Sequence, residues 1–185
     1  QYISLKELVG CDIQNKAIEV AKENYPNNKL IASSFFDYNE EVSCDCTIMN
    51  PPFSIKFKDL SIKEQENIQK QFSWKKSGVV DDIFVLKSLK YSKRYGFYIL
   101  FPGVAYRKTE EQFRKILKNT VLELNIIENA FEDTSIPVLF LIIDKEKTEV
   151  KVHKEIYDCK KKSIVHEEIC ENLEEIWQQP RKEEK

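Results

Sequence analysis

The sequence lacks a strong net charge of either sign. Its 185 residues carry 29 Lys and Arg against 31 Asp and Glu, for a formal net charge of −2 at pH 7. Domains that hold nucleic acid by bulk positive charge are usually basic overall, so the composition excludes a non-specific basic clamp. Any nucleic-acid contact would require a local patch or a partner chain.

Long apolar runs and a disulfide framework are also absent. The longest apolar runs, such as residues 138–143, are far shorter than the ~20 residues of a membrane-spanning helix. The five cysteines are odd in number, and Cys44 and Cys46 are too close together and too isolated for a tetrahedral zinc site, even with help from His153 or His166. We therefore expect reduced thiols, no metal, no membrane association and a cytoplasmic location.

The sequence does contain short apolar segments that alternate with amphipathic ones. Because no helix separates the last two strands, the sheet should finish with an antiparallel strand, in an otherwise mostly parallel α/β sheet. The apolar runs predict strands near 5–13, 30–32, 46–49, 97–101, 121–127 and 138–143. The helical spacing predicts helices over 14–24, 61–72, 81–94 and 107–119, the last with Phe113, Ile116 and Leu117 facing inward.

The composition changes after Lys145, and we expect a main domain over residues 1–147 followed by an extension over 148–185. Residues 148–157 alternate between apolar and polar and predict an edge strand, while 163–178 predict a helix. One side of that helix would dock on the domain or form a surface for a partner. Its apolar residues are Val165, Ile169, Leu173, Ile176 and Trp177.

The most specific string in the chain is Asn50-Pro51-Pro52-Phe53, at the end of the predicted strand 46–49. Proline lacks an N–H donor and restricts the residue before it, so two consecutive prolines hold this turn rigid. Such a turn fixes the direction of the Asn50 side chain and leaves the Pro51 carbonyl pointing outward. The two acceptors suit a planar NH2 group, and Phe53 offers a flat face for stacking on a base. The alternative is a strand-ending turn with a packed phenylalanine.

In parallel sheets, ligands bind beyond the carboxyl ends of the strands, where we expect the loops beginning near residues 12, 34, 50 and 102 to converge. Asp12 ends a predicted strand and could accept both hydrogen bonds of a ribose diol, with Ile13 against an adenine face. The alternative is that Asp12 caps the helix over 14–24.

The Asn-Pro-Pro-Phe string resembles the catalytic signature, Asn/Asp-Pro-Pro-aromatic, of amino-methyltransferases that use S-adenosylmethionine. The resemblance implies that the Asn50 side chain and the Pro51 carbonyl bind the exocyclic amine of the substrate. It also implies that Phe53, beyond Pro52, stacks on a flipped-out base. A Rossmann-like class I methyltransferase sheet and S-adenosylmethionine as cofactor are expected with it.

The run Leu-Phe-Pro-Gly-Val-Ala-Tyr-Arg at residues 100–107 resembles the methyltransferase (M) subunits of type I restriction–modification systems, which methylate the N6 amine of adenine in DNA. The resemblance covers roughly residues 5–150. It implies double-stranded DNA with a flipped adenine as substrate, and a specificity (S) subunit and a restriction (R) subunit as partners. Tyr106 would line the base pocket, and Arg107 would contact phosphate or pair with an acid at 110 or 111.

The family's first strand and glycine-rich cofactor loop precede the strand that ends at Asp12, whereas this sequence begins at Gln1 without Met. We therefore expect an N-terminally truncated catalytic domain that binds the cofactor weakly or not at all on its own. Ser34 stands where the family usually has an acid that contacts the cofactor adenine, and Asp37 follows three residues later. Either residue could make that contact.

Two other functions share some of these features. Enzymes that methylate a glutamine side chain in a protein, or a base in ribosomal RNA, also carry Asn-Pro-Pro-aromatic, although the run at 100–107 argues against them. A non-catalytic remnant that binds a partner through the helix over 163–178 is the third possibility.

Overall fold

A computed structural model describes residues 6–172 and 175–177, which divide into two units. The smaller unit contains residues 6–41 together with 60–76, and the larger unit contains 42–59 together with 77–172 and 175–177.

The smaller unit is a β–α–β unit with one additional helix. Its strands β1 (Val9–Asp12) and β2 (Lys29–Ala32) are parallel and, among the described residues, pair only with each other. Helix α1 (Asn15–Asn24) connects them and buries Ile18, and α2 (Ile62–Gln71) follows a capping box at its N-terminus. The predictions of helices over 14–24 and 61–72 are confirmed.

The larger unit is built on one six-stranded sheet. Its spatial order is β3-β4-β6-β5-β7-β8, so β6 lies between β4 and β5. The strands are β3 (Cys44–Met49), β4 (Ser92–Leu100), β5 (Val121–Glu128), β6 (Val138–Asp144), β7 (Val152–Asp158) and β8 (Ser163–Cys170). The helices are α3 (Asp81–Leu89) and α4 (Glu111–Leu117), and short 3-10 turns lie at Phe57–Asp59, Pro102–Ala105, Lys108–Glu110 and Lys118–Thr120.

Strands β3, β4, β5 and β7 run in the same direction, because β3 pairs parallel to β4, β5 pairs parallel to β7, and β6 is antiparallel to both β4 and β5. Strand β8 is antiparallel to β7. This mixed, mostly parallel α/β sheet with an antiparallel β6 confirms the predicted fold class.

Part of the core of the larger unit lies between α3 and the β3–β4 pair. Tyr98 of β4 is fully buried, and its hydroxyl lies 2.8 Å from Ser88 Oγ on α3 and 3.0 Å from Thr47 Oγ1 on β3. The Tyr98 ring covers Gly96, where an added Cβ would come within 2.5 Å of the ring. Gly96 lies within β4, which begins at Ser92, earlier than the start of the strand predicted over 97–101.

Two predicted helices are shorter than their amphipathic patterns. The helix predicted over 81–94 ends at Leu89, because β4 begins at Ser92 and pairs with β3. The helix predicted over 107–119 is reduced to α4, and Ile116, expected to face inward, is 42% exposed.

The predictions for the C-terminal segment are wrong in two respects. Strand β7 is not at the edge of the sheet, since β8 covers it. Residues 163–170, predicted as helix, form β8, where Ile169 is 65% exposed. The apolar spacing of this segment fits the period of a helix as well as that of a strand, so pairing with β7 decides the conformation. Ile176 is buried and Trp177 lies 5.9 Å from the Phe113 ring, while Leu173 lies outside the described residues.

Within the described part of the chain, none of the helices has the length and apolar character that crossing a membrane requires.

Candidate functional site

The Asn-Pro-Pro-Phe corner directly follows β3. Pro51 is buried, Phe53 is half-buried, and both Asn50 and Pro52 are exposed. Burial of one proline anchors the turn on the larger unit, while the side chain before it faces solvent. The corner is therefore at the surface, as a substrate-binding element must be.

The chain leaving the corner is held by the start of α3. Ser54 has a left-handed backbone with φ 60°, and its N–H donates to Asp81 Oδ1 at 2.9 Å. Asp81 is the first residue of α3 and is 1% exposed. One residue further, the Val80 N–H donates to the Ile55 carbonyl at 2.9 Å. The corner is thus held by β3 before it and by α3 after it.

Sequence reasoning missed Ser54 and Asp81. An acid in the first turn of a helix usually serves that helix itself, so its position gave no signal that it binds a loop 27 residues away.

The oxygen acceptors of the corner are open. Among the described residues, no group donates to the Asn50 side chain or to the Pro51 carbonyl. A substrate amine would therefore not have to displace an internal hydrogen bond in order to bind there.

The second element of this site is the loop that follows β4. Strands β3 and β4 are parallel neighbours with Met49 opposite Tyr98, so the loops that follow them lie at the same edge of the sheet. Residues 102–105 form a buried 3-10 turn, after which Tyr106 is 58% exposed. Arg114 holds the loop, because its Nη1 donates to the Val104 carbonyl at 2.8 Å and to the Arg107 carbonyl at 2.9 Å.

Arg107 packs on its own loop. Its guanidinium lies 4.8 Å from the centre of the Phe101 ring, and a Cβ on Gly103 would come within 2.5 Å of it. The alternative in which Arg107 pairs with Glu110 or Glu111 is wrong. Glu110 accepts from Thr109 Oγ1 at 2.7 Å, and Glu111 pairs with Lys115.

The smaller unit carries the residues predicted for cofactor binding. Asp12 ends β1, and its Oδ1 accepts from the Gln14 N–H at 2.7 Å. The N-cap of α1 is Gln14, so the alternative in which Asp12 caps this helix is wrong. Asp12 instead accepts a hydrogen bond in the turn that precedes the helix. Of the residues in the described ranges, only Gln14 bonds to this carboxylate, and Ile13 beside it is 70% exposed.

Ser34 and Asp37 follow β2 and both contact the segment around α2. Asp37 Oδ1 accepts from Asn67 Nδ2 at 2.9 Å, and its Oδ2 lies 3.2 Å from Lys63 Nζ. The Ser34 hydroxyl donates to Glu64 Oε1. The structure thus gives both residues partners within the smaller unit.

Glu64 is a second acid at this position, beside Asp37, and sequence reasoning missed it. Its other oxygen accepts from the Ser61 N–H at 2.9 Å and from Ser61 Oγ at 2.7 Å. Burial alone would raise the pKa of Glu64, but the hydrogen bonds from Ser34 and Ser61 outweigh it and lower that pKa below its ordinary value. The signal available in the sequence was the capping-box spacing from Ser61 to Glu64.

A mostly parallel sheet with an antiparallel strand inserted next to β4, and an Asn-Pro-Pro-Phe corner at the end of a parallel strand, define a Rossmann-like class I methyltransferase fold. The sequence places the chain more narrowly. It belongs to the N-6 DNA methylase family, whose sequence model matches residues 8–183.

Solved structures share this fold. The methyltransferase subunit of a type I restriction–modification system from Streptococcus thermophilus matches with a TM-score of 0.67 at 23% identity, over 80% of this chain and 36% of that one. A protein assigned as a type I modification subunit from Vibrio vulnificus gives 0.67 at 11% identity, over 84% and 38%. A protein assigned as a class I S-adenosylmethionine-dependent methyltransferase from Listeria monocytogenes gives 0.62 at 17%, over 81% and 48%. The chain therefore spans less than half the length of these relatives.

Proposed function

We propose that this chain is part of the catalytic domain of a DNA methyltransferase that transfers a methyl group from S-adenosylmethionine to the N6 amine of adenine, as the M subunit of a type I restriction–modification system. The observation that carries the proposal is the exposed corner after β3, whose Asn50 and Pro51 oxygens are free of partners among the described residues. Membership of the N-6 DNA methylase family supports the same substrate.

The corner would act on the amine by orientation. An exocyclic amine conjugated to an aromatic ring is a weak nucleophile, since its lone pair is shared with the ring. Two hydrogen bonds, to the Asn50 side chain and to the Pro51 carbonyl, localise that lone pair and direct it away from the ring. Orientation of this kind can contribute several kcal/mol to catalysis, so the chemistry requires no general base.

Phe53 would hold the target base. Enzymes that act on a nucleobase rotate it out of the duplex and bind it against aromatic side chains. The half-buried Phe53 ring supplies such a face next to the two acceptors, while Pro52 keeps the turn rigid. Tyr106, exposed on the neighbouring loop, would line the same pocket, and Arg107 beside it would contact the DNA phosphates.

The residues of the smaller unit would hold the cofactor, which supplies an electrophilic methyl group on a sulfonium sulfur. Asp12 fits the ribose diol, because a single N–H occupies its carboxylate, and the exposed Ile13 fits an apolar adenine face. Ser34 and Asp37 already form hydrogen bonds within the smaller unit. Each oxygen retains a lone pair, so either residue could also accept a hydrogen bond from the adenine amine.

The partners follow from the same proposal. With a net charge of −2, this chain would grip double-stranded DNA together with an S subunit that selects the sequence, and an R subunit would complete the restriction complex. The structural relatives include type I methyltransferase subunits, which supports such an assembly. We propose a cytoplasmic location, and residues 148–185 as an extension of the catalytic part over 1–147.

The two alternative functions have less support. A protein-glutamine or ribosomal RNA methyltransferase shares the corner, but the family match favours DNA. A remnant that binds a partner through a helix over 163–178 loses its basis, because residues 163–170 form β8.

The decisive experiment is Asn50→Ala in the complete protein. We expect methyl transfer to duplex DNA to be abolished, because the amine loses one of its two acceptors. The affinity for S-adenosylhomocysteine, measured by calorimetry, should stay within a few-fold of the wild type. Asn27→Ala, at an exposed turn in the smaller unit, is the matched control and should be fully active. Near-normal turnover of Asn50→Ala would refute the proposed role of the corner.

A further inference from the structure

A cluster of metal-ligating side chains lies far along the sheet from the corner, on β7 and β8. His153 and Glu155 are two residues apart on β7 and so share one face of the sheet, and Glu167 on β8 is in register with Glu155. His153 Nε2 lies 2.8 Å from Glu167 Oε1 and 3.5 Å from Glu155 Oε1. One ligand atom from each of the three residues lies within 4.8 Å of the others.

Strand β5, next to β7, adds a further carboxylate beside the cluster and a hydrogen-bonded contact to the β7 backbone. Glu123 of β5 is in register with His153, so a third carboxylate faces the imidazole. Asn125, which is 7% exposed, donates to Glu123 Oε2 at 3.0 Å, and its side-chain oxygen accepts from the Glu155 N–H at 3.0 Å. A buried amide thereby ties β5 to β7 beside the cluster and holds the backbone of Glu155.

The surroundings leave the cluster accessible. His153 lines a shallow hollow of about 430 Å³ on this face of the larger unit. Lys151, two residues before His153, lines the same hollow, and its amine lies 3.5 Å from a Glu171 carboxylate oxygen. This lysine is therefore paired with Glu171 and not with a carboxylate of the cluster.

The donor types select the class of ligand. One imidazole nitrogen with two carboxylate oxygens suits divalent first-row transition metals, whereas Mg²⁺ and Ca²⁺ prefer oxygen alone. Metal bonds of about 2.0–2.2 Å in octahedral or tetrahedral coordination place adjacent ligand atoms roughly 2.8–3.6 Å apart, and the two distances from His153 Nε2 lie within this range.

We propose that His153, Glu155 and Glu167 form a binding site for a divalent transition-metal ion, separate from the methyl-transfer site. The ion takes the place of the proton that His153 Nε2 and the Glu167 carboxylate share, and that proton leaves to solvent. Because its ligands come from both strands, the bound ion links β7 to β8, and water completes its coordination.

The test titrates the 185-residue chain, stripped with chelator, with Zn²⁺ by calorimetry and with Co²⁺ by visible absorption. We expect one equivalent to bind to the wild type. His153→Ala and Glu167→Gln should each lower the affinity for the metal roughly tenfold or more, as expected when a ligand or a group that orients it is removed. The matched control is His166→Ala on β8, which pairs with Glu168 outside the cluster and should bind within about twofold of the wild type.

NMR of the wild-type cluster tests the site without relying on variants that fold poorly. The chain has two histidines, so ¹⁵N spectra contain two sets of ring signals, which His166→Ala assigns. Zn²⁺ should shift the His153 signals and leave those of His166 in place. Absence of stoichiometric binding, equal shifts at both rings, or unchanged affinity in His153→Ala would each overturn the site and leave a simple ion-paired cluster.

Discussion

At the scale of single residues, the proposed chemistry depends on acceptor atoms that have at most one hydrogen-bond partner among the described residues. The Asn50 amide and the Pro51 carbonyl are acceptors without donors among the described residues, and the Asp12 carboxylate accepts one hydrogen bond. Polar groups that a protein leaves open at the end of a rigid strand are free to bind a ligand without first breaking an internal bond. Phe53 belongs with them, since its side chain is half-buried and part of its surface stays accessible.

Phe53→Ala should weaken capture of the flipped base by about 1–3 kcal/mol, the usual free energy of one aromatic–base stack. The expected loss in kcat/KM for duplex DNA is about 5- to 150-fold. Steady-state methylation kinetics in the complete protein measure it. Phe53→Tyr, which keeps the ring, should retain most of the activity. If Phe53→Ala had unchanged DNA KM and kcat, the ring would have no role in stacking.

At the scale of secondary-structure elements, α3 has two tasks. Its first residue, Asp81, binds the Ser54 N–H and holds the corner, while Ser88 near its other end binds the buried Tyr98 hydroxyl. The helix thereby joins the proposed catalytic turn to the β3–β4 pair. A disturbance of α3 should therefore reach the corner even when no substrate-contacting residue is changed.

Asp81→Ala should impair turnover through the position of the corner. Loss of the acceptor leaves the Ser54 N–H without its bond, at a cost of about 1–3 kcal/mol in the free energy of unfolding. We expect a lower kcat with little change in cofactor affinity, measured by kinetics and calorimetry next to thermal denaturation. Asp81→Asn keeps an acceptor oxygen and should restore most of the kcat. A variant that is destabilised but fully active would show that Asp81 has only a structural role.

The packing of α3 on the sheet predicts a dependence of stability on alkaline pH. Burial raises the pKa of Tyr98, and its hydrogen bonds with Ser88 and Thr47 offset only part of that shift. In the unfolded chain a tyrosine ionises near pH 10, so the contribution of neutral Tyr98 is complete below about pH 10 and is lost as the pH rises above it.

Thermal unfolding of wild type and Tyr98→Phe between neutral and strongly alkaline pH measures this contribution. At pH 7 the variant should be less stable by about 0.5–1.5 kcal/mol for each lost hydrogen bond. The difference should shrink above about pH 10, since only the wild type can ionise at this position. Tyr25→Phe, on an exposed residue, should follow the wild type throughout. A difference that stays constant with pH would contradict the prediction.

At the scale of the whole molecule, the net charge is close to zero, and this affects how the proposed methyltransferase would bind DNA. A chain with a net charge of −2 has little long-range attraction for phosphates, so binding should depend on what its partners supply.

We expect methylation of duplex DNA by the complete M subunit to require the S subunit. Methyl incorporation with and without S, at increasing salt, is the measurement. With S present, activity should fall as salt rises, because the phosphate contacts are electrostatic. Efficient methylation by the M subunit alone would contradict the prediction.

Much of the fold could be predicted because it depends on local pattern. The apolar run before Asn50 and the helical spacing after Gln14 and Ser61 each indicated the element that forms. The prediction failed at residues 163–170, where Val165 and Ile169 fit a helical stripe as well as a strand. Pairing with β7, a non-local interaction, decides between them.

The sequence by itself determined the corner after β3. Two prolines restrict the backbone wherever they occur, so a rigid turn at this position can be read from four consecutive residues. Only the tertiary structure decided which distant groups meet. Asp81 reaches Ser54 across 27 residues, and Glu167 faces His153 from another strand. Contacts of this kind depend on strand order and register, which no local pattern of residue types encodes.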